Sequence, residues 1–132
     1  MTTEAGSEAS FDRQRRILSF AAVAELGTGL VLMIDPAIVV TLLLGSAVSG
    51  TGILLGRCFG IALLALGVAC WPNRRRAERS LPAFRAMLAY NVLIALYLGY
   101  VGTVGHLRGL LLWPAVVLHA VVALLLLRTS PA

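Results

Sequence analysis

Lysine is missing from this sequence: all eleven basic residues of the 132 are arginine. Charge as a whole is scarce, at 13% of residues against about 25% in a soluble domain. Most of the few charges avoid four long apolar stretches, and 59% of the chain is hydrophobic, with a mean hydropathy of +0.91. A soluble fold of this length leaves too much of its surface wet to hide so many apolar side chains. The composition therefore reads as an integral membrane protein.

Cysteine and histidine number two each. Cys58 and Cys70 share one apolar stretch and stand twelve residues, or roughly 18 Å, apart on a helix, too far for a disulfide. Neither has metal-type spacing. His106 and His119 differ in depth, which argues against both holding one metal or haem. No HExxH, phosphate-binding loop, GxSxG or Ser/His/Asp order is present. No catalytic residue, metal or bound cofactor is expected, with a quinone or lipid as the only small molecules weighed. The net charge of +5 would suggest nucleic acid in a soluble protein, but no aromatic residues interleave the arginines, and nucleic acid is not an expected partner.

What is present is span-length apolar sequence. Residues 1–14 are polar and read as a disordered amino-terminal segment, with a helical lead-in from Ser10. Residues 15–128 read as one transmembrane domain, and 129–132 as a tail. The first span is Ile17–Ile34, taken as a retained anchor rather than a cleaved signal because it is long and contains Glu25. Asp35-Pro36 then has the form of a helix start, an Asp cap followed by proline. Ala37–Leu44 is too short to cross, and predicts an interfacial or re-entrant helix before the turn-rich GSAVSGTG. The second span is Gly52–Trp71, the third runs from Pro82 to about Val104, and the fourth from about Leu107 to Leu127. Pro114 is expected to kink the fourth. The fold expectation is all-α: a four-helix antiparallel membrane bundle with one extra short helix.

Orientation follows from arginine. With four spans, Arg13, Arg15, Arg16, Arg74, Arg75, Arg76, Arg79, Arg85 and Arg128 share one side, leaving Arg57 and Arg108 toward the other. Both termini are thus expected in the cytoplasm, in a bacterial inner membrane. Trp71 and Tyr100 fall where interfacial aromatics belong.

The candidate site is the set of polar groups inside the spans: Glu25, Arg57, Asn91 and His119, one from each, with Tyr90 beside them. Glu25 lies roughly 12 Å in from the inner edge and Arg57 roughly 8 Å from the outer edge, so an ion pair between them is expected. Such a cluster serves either as packing glue or as a relay or binding site. Gly52, Gly56 and Gly60 form overlapping GxxxG steps, which suit close helix packing within the chain or across a homodimer. Membrane lipids, a homodimer or a larger membrane complex are the partner expectations.

The segments RILSFAAVAELGTGLVLMIDP, LLLG, LLGRCFGIALLALGVACW and LLLWPAVVLHAVVALLLL together resemble the small bacterial four-helix membrane proteins called DoxX-like. The resemblance covers most of residues 15–127 and rests on Leu, Gly and Ala patterns. Some members of that family are linked to quinone-coupled thiol or sulfur oxidation, but no family motif transfers to particular residues of this chain. The functional expectation is a non-catalytic accessory or lipid-interacting membrane component. A small proton-coupled transporter or channel and a quinone-interacting redox component are the alternatives.

Overall fold

The computed structural model describes residues 2–71 and 80–129. It is all-α, with five helices: α1 Thr2–Ile34, α2 Pro36–Leu44, α3 Thr51–Ala69, α4 Ser80–Thr103 and α5 Leu112–Arg128. Three segments are long and apolar enough to cross a membrane: Asp12–Ile34 of α1, Thr51–Ala69 of α3 and Leu81–Thr103 of α4. The apolar α5 is shorter, and its 17 residues rise about 25 Å. The arginines of the loop after α3 (residues 74–76 and 79) lie outside the described residues.

Two antiparallel pairs build the bundle, α1 with α3 and α4 with α5. The direction of the first pair can be read from its contacts. Gly67 meets Ala22 and Leu26, Gly60 meets Gly29 to Met33, and Gly56 meets Pro36, so numbers fall on one helix as they rise on the other. These glycines bring the two backbones together: a Cβ placed on Gly60 would stand 2.7 Å from the carbonyl oxygen of Gly29, and one on Gly29 2.8 Å from that of Gly60. Gly52, by contrast, abuts only the side chain of Val48. Gly67, not singled out from the sequence, belongs to the same seam; its spacing of seven from Gly60 was the available signal.

All four long elements meet in a buried layer of Leu18, Ala21 and Ala22 from α1, Cys70 just past α3, Phe84 and Met87 from α4, and Val122 and Leu126 from α5. Because the outward faces of these helices are apolar as well, close fit within this layer, and not an apolar stripe, distinguishes the faces that pack together.

Asp35 and Pro36 start α2 as their sequence predicts. The Asp35 carboxylate accepts from the amides of Ala37 (3.0 Å) and Ile38 (3.2 Å), and Pro36 takes the first turn, where its missing N–H costs nothing. Gly45 ends the helix at φ 72°, and a Cβ there would also press on the Arg108 carbonyl, so a side chain is excluded twice over. The loop before α5 is tied to this end by a hydrogen bond that the Leu111 amide donates to the carbonyl of Leu42 (2.8 Å).

The structure departs from expectation at three places. α1 begins at Thr2, well before Ser10, because adding turns to an already nucleated long helix is inexpensive. The last helix begins at Leu112 rather than Leu107, since residues 105–111 serve as an irregular strap against α2, with His106 at φ 53°. Pro114 consequently lies in the first turn of α5 and not in its middle, where its missing N–H removes no bond of the helix.

Candidate polar site between the helices

The register of α1 decides what Glu25 can touch. With Gly67 beside Ala22 and Leu26, and Gly60 beside Gly29, Glu25 lies level with the stretch of α3 between Gly60 and Gly67, where it is 3% exposed. The polar side chain that faces it is the Tyr90 hydroxyl of α4, a group that can donate to the carboxyl group. The same register carries Arg57 elsewhere. It lies between Gly56, which abuts Pro36, and Gly60, which abuts Leu32 and Met33, so it stands level with the end of α1. That is eight to ten residues, or roughly 12–15 Å, from the height of Glu25. Arg57 is also exposed, flanked by exposed Leu54, Leu55, Cys58 and Phe59.

The expected Glu25–Arg57 ion pair is therefore not formed. Counting depth from the start of each helix assumed that α3 begins at the membrane edge. Its first turn instead extends past the end of α1, alongside α2, which moves Arg57 to the end of the bundle where α2 lies.

Asn91 and His119 join α4 to α5. Asn91 is 1% exposed, and its amide nitrogen donates to the Met87 carbonyl one turn back, at 2.8 Å. That bond orients the amide, because a backbone carbonyl can only accept. The Asn91 oxygen is left facing His119 Nδ1, at 2.9 Å. An amide oxygen needs a donor, so Nδ1 carries the hydrogen and a neutral His119 keeps its lone pair on Nε2. Thus a main-chain carbonyl in α4 selects the tautomer of a ring in α5. Nothing in the sequence pointed to Met87 as the controlling group, although an i−4 carbonyl is always close to a helical side chain.

The ring of Tyr90 stands edge-on to that of His119, with centroids 5.8 Å apart and planes at 82°, a favourable arrangement for aromatic quadrupoles. The candidates thus divide. Glu25, Tyr90, His119 and Asn91 gather in one cluster across α1, α4 and α5, joined between Tyr90 and His119 by ring packing alone, while Arg57 stands outside it. No buried side-chain nitrogen or oxygen among the described residues lacks a hydrogen-bond partner, and no group of three or more metal-ligating side chains gathers there. Chemically, the cluster can hold three helices in register, with a hydrogen bond fixing α4 to α5 at Asn91 and His119.

No family model, curated protein or solved structure matches this chain.

Proposed function

We propose that the protein is a four-span component of a bacterial inner membrane, with both termini in the cytoplasm, acting as a non-catalytic accessory or lipid-interacting subunit. In this reading α2 and the strap before α5 form an outer-face cap, and α5 crosses as a short fourth span at the lower limit of useful length. Arg16 and Asp35 lie about 28 Å apart along α1, close to the thickness of a bilayer core. The likeness to DoxX-like proteins is carried as part of the same proposal.

The observation that supports the structural role most directly is how the interior polar groups are used. Glu25 and Asn91 are almost fully buried, and each faces a side chain of another helix of the same chain, Tyr90 of α4 and His119 of α5. Polar groups used this way act as register pins between spans. A test of the topology is cysteine labelling in a background with Cys58 and Cys70 replaced. His106→Cys should react with an impermeant maleimide in intact spheroplasts, whereas Ser10→Cys and Arg128→Cys should react only after lysis. Labelling of Ser10→Cys and Arg128→Cys from opposite sides would mean that α5 does not cross.

A second reading is favoured by the gathering of Glu25, Tyr90 and His119 between α1, α4 and α5, namely a proton relay in a small transporter in which water would bridge the Tyr90 hydroxyl and the His119 ring. Proton flux in proteoliposomes that is unchanged by Glu25→Gln would count against it.

A further inference from the structure

At the inner end of α1, Asp12, Arg15, Arg16 and Ser19 line a shallow notch of about 220 Å³. Their spacing of three, four and seven places them on one helical face. Just below lies the buried layer of Leu18, Phe84 and Leu126, so the notch sits where the apolar interior stops. Trp71, 53% exposed and four residues past the Gly67 contact with Ala22 and Leu26, stands level with the lower lip near Phe20. Indole rings favour that depth in a bilayer.

We propose that this notch binds the headgroup of an acidic phospholipid carrying free hydroxyls, of the phosphatidylglycerol type. The inference deepens the lipid-interacting reading above and rests on it. Charge and donor chemistry select this occupant. Arg15 and Arg16 supply two guanidinium groups for one phosphate, and the Ser19 hydroxyl adds a donor on the acyl-chain side. Asp12, one turn toward the cytoplasm, can only accept when ionised, so it suits a headgroup that ends in hydroxyls. A bare inorganic phosphate would meet Asp12 with like charge and gain nothing from the apolar rim. The acyl chains of a lipid would run down the exposed apolar surface of α1 at Phe20 and Val23.

The experiment is lipid titration of the full-length protein in detergent, read by native mass spectrometry and by thermal unfolding. Phosphatidylglycerol should bind and raise Tm, while phosphatidylcholine and inorganic phosphate at the same concentration should not. Two arginines near an anionic headgroup imply about 30-fold weaker binding in the Arg15→Gln/Arg16→Gln variant. Arg13→Gln, one residue outside the notch lining, should stay close to wild type. Asp12→Asn should reduce the preference for phosphatidylglycerol over phosphatidic acid, which lacks the hydroxyls. Equal phosphatidylglycerol binding by wild type and the double variant would overturn the proposal, as would an equal shift from inorganic phosphate. Circular dichroism of each variant shows whether its helices are retained. Carbonate-resistant membrane association separates the two levels: if the double variant stays inserted but lipid selectivity never depended on the notch, the headgroup site fails and the membrane reading stands.

Discussion

Replacing Gly60 by alanine isolates the backbone contact that sets the α1–α3 register. Two effects oppose each other. Alanine is favoured over glycine within a helix by roughly 0.8–1.0 kcal/mol. The new methyl, however, would lie 2.7 Å from the Gly29 carbonyl oxygen, 3.0 Å from Leu32 Cβ and 3.1 Å from the Met33 nitrogen. Two of these are main-chain atoms, which cannot swing aside, so the helices must part by several tenths of an ångström. Overpacking of this sort costs about 1–3 kcal/mol. Gly27→Ala supplies the reference, since nothing lies within 4 Å of a Cβ at that position. Both substitutions change helix propensity alike, so their difference reports the steric cost alone. Gly27→Ala should stabilise by roughly 0.8–1.0 kcal/mol, and Gly60→Ala should fall about 1–3 kcal/mol below it. Denaturant titration of the full chain in mixed micelles, followed by circular dichroism, measures both. If Gly60→Ala proves as stable as Gly27→Ala, the glycine seam and the register built on it are wrong.

Four further outcomes test other parts of the structure. Ring ¹⁵N shifts of His119 should show a protonated Nδ1 and a lone pair on Nε2. Asn91→Ala should blur that preference and cost about 0.6 kcal/mol, rising to about 1.7; a wild-type Nε2–H tautomer would mean the Asn91 amide is misassigned. Arg57→Leu should change stability by less than about 0.5 kcal/mol, whereas Glu25→Ala, which strands the Tyr90 hydroxyl, should cost about 1–3 kcal/mol; denaturation midpoints showing the reverse order would restore the ion pair. Pro114→Ala should leave helicity and stability within about 0.5 kcal/mol, while Val117→Pro in the body of α5 should cost about 3 kcal/mol or more; equal losses in thermal melts would place Pro114 mid-helix. Asp35→Ala should speed hydrogen exchange at the Ala37 and Ile38 amides and cost about 1 kcal/mol, and unchanged exchange would rule out the cap.

The sequence by itself determined the elements that depend on local chemistry. Long apolar runs have to become helices, because only a helix satisfies its own main-chain polar groups within one segment. The start of α2 at Asp35-Pro36 was legible for a similar reason: an N-cap aspartate and its acceptor amides are two or three residues apart. The polar candidates were legible as exceptions, since Glu25, Asn91 and His119 have no local reason to sit in apolar helices.

Which of them meet was decided only by the tertiary structure. Heights along neighbouring helices depend on where glycines let backbones close, and the contacts of Gly29, Gly60 and Gly67 are properties of a pair of helices. That register brings Glu25 to Tyr90 and carries Arg57 to the end of the bundle beside α2. The strap that delays α5, and so moves Pro114 into a first turn, likewise depends on an amide of Leu111 finding a carbonyl in α2. Periodicity sets the face on which a residue lies; relative height comes from packing between segments far apart in the chain.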